Sequence, residues 1–226
     1  MKFKHLLAGL TVLTLAASVQ ATTIINENFD SFASLAAKGW AVKNQSDIPN
    51  PLASWGQGNS GAAFTAQAGA DDSYAGINFA TTNGSVVDNW LFTPVFQLAV
   101  GETVTFYTRS AGTFADHLEV RLSGNGSSTN TSDFTALLFD LNPALNADGY
   151  PTDWFKVQFT IPTFSGLGTG RLGFRYFVTD SGPQGNNGNY IGIDTLNVVP
   201  EPTTVMTLGI GMLALLAMRR RRNDAV

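Results

Sequence analysis

The sequence contains no cysteine, two histidines and few charged residues. The absence of cysteine excludes disulfide bonds, cysteine nucleophiles and thiolate metal sites, so the hydrophobic core alone must stabilise the fold. One histidine, His117, lies beyond the first 21 residues, next to Asp116 and near Glu119. A serine nucleophile needs a positioned base, and no Gly-x-Ser-x-Gly motif accompanies this histidine. We therefore interpret His117 as an isolated surface residue.

Basic residues are also scarce between positions 22 and 200. Seven lysines and arginines stand there against fifteen aspartates and glutamates, which gives this segment a net charge of −8. Because no basic stripe is available to neutralise phosphates, this charge disfavours a nucleic-acid partner, and we predict none. The segment is long enough for one domain with a sizeable core, and it shows neither an internal repeat nor a linker.

The first 21 residues have the pattern of a secretory signal peptide. Lys2 and Lys4 precede an apolar stretch at 6–17, and small residues at Val19 and Ala21 precede a cleavage site. We predict cleavage after Ala21. The expected export partners are the Sec translocon and signal peptidase.

The last 28 residues, 199–226, combine three features in a fixed order. An uncharged apolar run at 203–218 has a Pro-Glu-Pro motif before it and an arginine cluster after it: Pro200, Glu201 and Pro202, then Arg219, Arg220, Arg221 and Arg222. As a helix the run would be about 24 Å long, somewhat short of the ~30 Å hydrocarbon core of a bilayer. The arginines would hold its C-terminal end on the cytoplasmic side. We predict a short transmembrane helix.

This arrangement resembles the PEP-CTERM protein-sorting signal of Gram-negative bacteria. In that family the tail anchors an exported protein in the inner membrane until an exosortase cuts near the Pro-Glu-Pro motif. The resemblance implies an exosortase partner, a transient membrane anchor, and a final location at the cell surface or outside the cell. PEP-CTERM proteins typically occur in bacteria that make exopolysaccharide, biofilm or floc, so it also implies a matrix role and a polysaccharide partner.

Residues 22–198 have the composition of an all-β domain, with many Thr, Phe, Val, Gly and Asn residues and no long helical periodicity. Polar and apolar side chains alternate at 103–108, as in a strand with one solvent-facing side. Eight strands are predicted, at 22–28, 73–79, 90–92, 102–109, 116–122, 154–161, 170–178 and 190–198. Short helices are predicted at 31–38 and 133–139. The pattern favours a two-sheet sandwich, with a jelly roll ahead of an immunoglobulin-like order.

Several segments of this domain, taken in order, resemble the choice-of-anchor J domain and the related cleaved-adhesin domains. Ile25-Asn26-Glu27-Asn28-Phe29-Asp30 resembles their first strand, and Asp88-Asn89-Trp90-Leu91-Phe92-Thr93-Pro94 resembles their most recognisable stretch. Tyr190-Ile191-Gly192-Ile193-Asp194 resembles a closing strand. These domains are jelly-roll sandwiches with galactose-binding-like and MAM-like relatives, so the resemblance implies the same fold here.

Jelly-roll relatives of this family often carry a structural calcium ion, whose ligands are oxygen atoms from converging loops. Carried over by position, the implied calcium ligands are Glu27, Asp71 and Asp194. The alternative is that these residues are solvated turn carboxylates.

The four tryptophans divide into two groups. Trp90 and Trp154 lie in strand patterns and are expected in the core, where an aromatic side chain contributes about 2–3 kcal/mol. Trp40 and Trp55 lie in glycine-rich surroundings and are candidates for stacking on a sugar ring, Trp55 being the better one. Glycoside hydrolysis would need two facing carboxylates, and among fifteen scattered ones some pairing is inevitable.

We therefore predict an exported, non-catalytic surface or extracellular-matrix protein that binds polysaccharide. The alternatives are a secreted carbohydrate-active hydrolase, with its cleft lined by Trp55 or Trp40, and a surface coat without a specific ligand.

Overall fold

The computed structural model describes residues 24–200, apart from positions 62, 100, 113 and 163–167. The predicted signal peptide at 1–21 lies outside the described residues. So do Glu201, Pro202, the predicted transmembrane helix and the four arginines at 219–222. Within the described ranges, no helix is long and apolar enough to span a membrane.

The described residues contain twelve strands and four short 3-10 helices. The strands are β1 (Ile25–Glu27), β2 (Ala41–Asn44), β3 (Gly56–Gln57), β4 (Ala75–Asn78), β5 (Val86–Phe92), β6 (Phe96–Gln97), β7 (Thr103–Ser110), β8 (Leu118–Ser123), β9 (Ala136–Leu141), β10 (Phe155–Thr160), β11 (Thr169–Thr179) and β12 (Tyr190–Val199). The 3-10 helices are Phe32–Ser34, Ala36–Lys38, Phe79–Thr81 and Thr131–Asp133.

All strand pairs are antiparallel, and they form two sheets of six strands each. The first sheet has the order β10-β7-β12-β4-β3, with β1 also paired to β12. The second has the order β2-β5-β11-β8-β9, with β6 also paired to β11. The predicted all-β, jelly-roll two-sheet sandwich is confirmed.

Strand β7 illustrates how the two sheets form one core. Its residues alternate strictly between half-buried and buried, which directs Val104 and Phe106 into the sandwich. The ring of Phe106 meets that of Phe174 from the opposite sheet at a centroid distance of 5.1 Å, with the two planes perpendicular. Side chains from the inner faces of both sheets therefore interdigitate, as in other β-sandwiches.

Each of the eight predicted strands corresponds to a strand of the structure, with shifted ends, and the segment at 31–38 forms two 3-10 helices. The helix predicted at 133–139 is wrong, because β9 occupies most of that segment. Its residues Ala136 and Leu141 pair with Leu122 and Leu118 of β8. Hydrogen bonding to a strand edge thus outweighs the helical preference of an Ala-Leu-Leu sequence.

Candidate functional site

The outer face of the second sheet carries a row of side chains that crosses five strands. The strand register aligns one residue from each of β2, β5, β11, β8 and β9: Lys43, Trp90, Arg175, Glu119 and Asp140. Neighbours on a sheet face that lie directly opposite each other interact, so this row places an aromatic ring between two basic residues and sets Arg175 beside Glu119.

Arg175 is the centre of this row. Its Nε and Nη2 donate to the two carboxylate oxygens of Asp88 at 2.7 and 2.8 Å, and its Nη1 donates to Glu119 at 3.2 Å. The guanidinium carbon lies 5.2 Å from the ring centroid of Trp90 and 4.1 Å from that of Phe177. Bidentate pairing and two cation–π contacts hold the guanidinium in one plane. Trp90 Nε1 also donates to Asp88, at 2.7 Å.

Glu119 joins Arg175 to a second arginine. Arg121 donates to the Glu119 carboxylate from Nε at 2.6 Å and from Nη2 at 3.3 Å. Burial alone would raise the pKa of Glu119, but the hydrogen bond from Arg121 and the positive charges of both arginines outweigh burial and lower it. Glu119 is therefore ionised at neutral pH, and the two arginines balance the charges of Asp88 and Glu119.

A groove of about 290 Å³ opens beside this charged network. Its polar lining comes from the charged network, namely Asp88, Arg121 and Arg175, and from Thr131 and Ser132 of a 3-10 helix. The hydroxyl groups of Thr131 and Ser132 have no hydrogen-bond partner among the residues that the structure describes. The groove therefore offers guanidinium and hydroxyl groups to a polar ligand.

Three aromatic side chains form the apolar wall and support of the groove. Phe134 lies 5.5 Å from Trp90 and 4.8 Å from Phe92 between ring centroids, and all three are buried. Gly173 on β11 permits this packing, because a Cβ atom there would lie 3.0 Å from both Phe134 and Trp90. Trp90 is thus buried as expected, but on the outer face of the sheet and not in the main core.

His117 is buried, so its interpretation as a surface residue is wrong. It is 6% exposed, with Nδ1 2.9 Å from the Phe177 carbonyl oxygen and Nε2 2.7 Å from Asp140. His117, Glu119 and Asp140 place one ligand atom each within 4.8 Å of one another, a spacing suited to a cation. Because two guanidinium groups already neutralise Glu119, we assign no metal to this cluster.

The implied calcium ligands do not form one ligand set. Glu27 is buried and accepts hydrogen bonds from Lys38 Nζ at 2.9 Å and from the Phe29 N–H at 3.0 Å. Asp71 is exposed. The pairing of β1 with β12 does bring Glu27 and Asp194 onto neighbouring strands. Within the described ranges, however, these three carboxylates do not converge at the spacing of a metal site.

The Asp194 carboxylate accepts hydrogen bonds from backbone N–H groups, whereas a calcium ligand would face the cation. Its Oδ2 accepts from the N–H groups of Gln67 and Ala68 at 2.9 and 3.2 Å, and its Oδ1 accepts from the Thr195 N–H at 2.6 Å. Burial raises the pKa of Asp194 to about 6, although these hydrogen bonds oppose the shift. N–H donors and the Lys38 ammonium group surround the carboxylates of Asp194 and Glu27, so their positions do not fit a calcium ion.

Trp40 and Trp55 lie in the main hydrophobic core, at 6% and 3% exposure. Trp40 packs edge-to-face on Phe29 at 5.4 Å, and Trp55 Nε1 donates to the Asn89 carbonyl oxygen at 3.4 Å. Neither ring presents a face to solvent, so their positions do not support the predicted stacking on a sugar. Trp154, expected in the core, is half-buried.

The fold and the polar face define a β-sandwich module with a polar groove on one of its two sheets. A family model for the Cleaved Adhesin Domain matches residues 22–158, and the chain belongs to this family. A second model, for the PEP-CTERM protein-sorting motif, matches residues 198–222. Together the motif and the adhesin domain imply export to the cell surface. The more specific likeness to the choice-of-anchor J domain stays a prediction.

Solved structures of cleaved adhesin domains have the same fold. The K1 domain of Lys-gingipain from Porphyromonas gingivalis W83 is 21% identical with a TM-score of 0.57, and the alignment covers 80% of this chain and 99% of that domain. The K3 domain of the same protein is 20% identical with a TM-score of 0.56 and equal coverage. A comparison with curated proteins gives no match.

Proposed function

We propose that this chain is an exported, non-catalytic surface protein that binds polysaccharide of the extracellular matrix through the groove beside Arg175. The observation that carries the proposal is the union of an adhesin sandwich at 22–158 with a sorting motif at 198–222. The signal peptide delivers the chain to the Sec translocon, the tail anchors it transiently in the inner membrane, and an exosortase releases it near Pro200.

The chemistry of the groove supports a hydroxyl-rich ligand. Arg121 and Arg175 are held in fixed planes by carboxylates, so their orientation requires no ordering when a ligand binds. The free hydroxyls of Thr131 and Ser132 both donate and accept hydrogen bonds, as sugar hydroxyls do. Trp90 lines the groove but is buried, so its role is to hold Asp88 and Arg175 in place and not to stack on a sugar ring.

Mass spectrometry of the C-terminus tests the sorting half of the proposal. In cells with the exosortase, we expect the protein recovered outside the cell to end near the Pro-Glu-Pro motif at 200–202. In cells without it, the chain should remain in the membrane fraction with its arginine cluster intact. Recovery of extracellular protein that still carries Arg219–Arg222 would contradict exosortase processing.

A binding assay with exopolysaccharide from the producing cells tests the other half. Thr131→Val combined with Ser132→Ala removes two hydroxyls without touching the ion pairs, and we expect about tenfold weaker binding. Ser127→Ala removes an exposed hydroxyl from the same loop and should bind normally. Equal binding by all three proteins would contradict the assignment to this groove. Release of reducing ends from the polysaccharide would instead support the hydrolase alternative.

A further inference from the structure

Aromatic residues of the 58–74 segment and of neighbouring elements cover the outer face of the first sheet. Phe64 stacks on Tyr74 at 5.0 Å, and Trp154 meets Phe64 edge-on at 5.4 Å. Arg109, which points outward from β7, lies over Phe64 at 4.5 Å. Tyr190 completes this layer at 5.5 Å from Phe64. Of this layer, Tyr190 also lines a neighbouring pocket.

A pocket of about 270 Å³ lies between this aromatic layer and the ends of β4, β7 and β12. It is close to the roughly 300 Å³ lower bound of small-molecule sites. Three asparagines and two aromatic rings contribute to its lining: Asn59, Asn78, Asn189, Phe79 and Tyr190. Among the described residues, its lining contains no charged side chain.

Hydrogen bonds hold the backbone N–H groups of Asn59 and Asn189 in place, whereas the side-chain amides of both residues remain available to a ligand. The Asn59 N–H donates to the hydroxyls of Tyr74 and Tyr190 at 2.9 and 3.2 Å, and the Asn189 N–H donates to Asp116 at 2.8 Å. In the part of the chain that the structure describes, the side-chain amides of Asn59 and Asn189 have no partner. Each can therefore donate and accept hydrogen bonds toward a ligand.

Asn78 and Tyr190 complete the polar lining. Asn78 Oδ1 accepts from the Ala80 N–H at 2.8 Å, which leaves its NH₂ group without a partner among the described residues. The Tyr190 hydroxyl donates to the Tyr74 hydroxyl at 3.3 Å and accepts from the Asn59 N–H, so Tyr190 contributes its ring to the pocket more than its hydroxyl. Burial raises the pKa of Tyr190, so it carries no charge at physiological pH. Tyr190 and Phe79 also expose ring surface to the pocket. The pocket thus combines neutral polar groups with apolar faces.

We propose that this pocket binds a single neutral sugar ring, as the terminal or branching unit of a polysaccharide. The side-chain amides match the mixed donor and acceptor character of sugar hydroxyls, and the aromatic rings match the C–H faces of the sugar. An anionic sugar would lose its hydration with no cation in the lining to replace it. Because this pocket lies at the first sheet, the proposal stands whether or not the groove beside Arg175 binds polysaccharide.

Titration calorimetry with neutral and charged monosaccharides tests the proposal. The full chain is kept in a non-glycosidic detergent, because sugar-based detergents would compete for the site. The probes are the methyl glycosides of glucose, galactose and mannose, with glucuronate as the anionic comparison. We expect at least one neutral glycoside to bind and glucuronate to bind at least tenfold more weakly. Absence of binding by all neutral glycosides, or equal binding of glucuronate, would overturn the proposal.

Variants locate the bound sugar. Asn59→Ala combined with Asn189→Ala should weaken binding about tenfold or more, because two hydrogen bonds are lost. If that double variant does not fold, Ala111→Leu provides a second test. It narrows the pocket while keeping all the amides and should weaken binding by a similar factor. Asn83→Ala, an exposed asparagine elsewhere, should bind normally. Normal binding by the folded double variant or by the folded leucine variant would overturn the proposal.

The groove variant separates this proposal from the preceding one. Thr131→Val with Ser132→Ala should bind the monosaccharide as the unmodified chain does. If that variant loses monosaccharide binding and the pocket variants retain it, the sugar binds in the groove and the pocket proposal fails.

Discussion

Replacing Arg175 with methionine would leave two largely buried carboxylates without the cation between them. The side chain of Arg175 is 19% exposed, and those of Asp88 and Glu119 are 18% and 8% exposed. Methionine retains much of the aliphatic bulk and packs adaptably, so the main loss is the guanidinium charge and its hydrogen bonds. The outer face of the second sheet would then carry an uncompensated negative charge.

The size of the loss follows from this burial. Removing one partner of a buried ion pair costs about 3–5 kcal/mol. Arg121 still neutralises Glu119, and about a fifth of the Arg175 side chain is exposed, so we expect the lower end, about 3 kcal/mol. In a domain of this size each kcal/mol lowers the melting temperature by about 2–4 °C, which gives a decrease of about 6–12 °C.

Thermal unfolding followed by circular dichroism at neutral pH measures the effect. Lys156→Met removes an exposed positive charge from β10 and should change the melting temperature by less than about 1 °C. Asp88→Asn combined with Arg175→Met removes both charges of the bidentate pair and should recover more than half of the loss. An Arg175→Met variant that unfolds at the same temperature as Lys156→Met, or a double variant no more stable than Arg175→Met, would refute the role of Arg175 as the buried counter-ion.

Three further outcomes are expected. Burial raises the pKa of Asp116 to about 6, so the folded state binds its proton more tightly than the unfolded state. The contribution of Asp116 to stability should therefore fall as pH rises from about 4 to 6. In denaturant titrations, Asp116→Asn should remove this contribution and change the slope of stability against pH; an unchanged slope would contradict it. Gly76→Ala places a Cβ at the Tyr190 hydroxyl and should lower the melting temperature, whereas a Cβ at Gly56 would lie 4.0 Å from the nearest atom, Ser54 O, and Gly56→Ala should not. Millimolar calcium should leave the melting temperature unchanged, and a clear rise would show that calcium binds.

Predictions of secondary structure from the local sequence were correct where side-chain alternation along a single segment determines the conformation. Alternating side chains in 103–108 correctly predicted a strand, because one wet and one dry face impose a period of two on the sequence. The helix prediction for residues 133–139 was wrong, because the local preference of this segment is helical whereas pairing with the edge of β8 decides its conformation. The prediction that His117 is an isolated surface residue was wrong for a similar reason, since its partner Asp140 lies on β9, a strand that was not predicted.

The groove also depended on contacts that no local pattern contains. Glu119 and Arg121 are two residues apart on β8, and this spacing could have suggested charges on one face of a strand. Their convergence with Arg175 and Asp88 could not have been found from the sequence. Arg175 is 56 positions away from Glu119 and 87 positions away from Asp88, and the strand pairing alone brings these residues together. Trp40 and Trp55 were misjudged because glycine-rich surroundings indicate a loop but not whether the loop packs into the core.

The sequence by itself determined the all-β class, most of the strands and the sorting motif at 198–222, because side-chain alternation and the order of prolines, apolar residues and arginines are properties of contiguous residues. Only the tertiary structure decided which side chains meet. Antiparallel pairing of β5, β11 and β8 sets the register that places Trp90, Arg175 and Glu119 side by side. A shift of one residue in that register would turn these side chains into the core, so the groove exists only through long-range strand pairing.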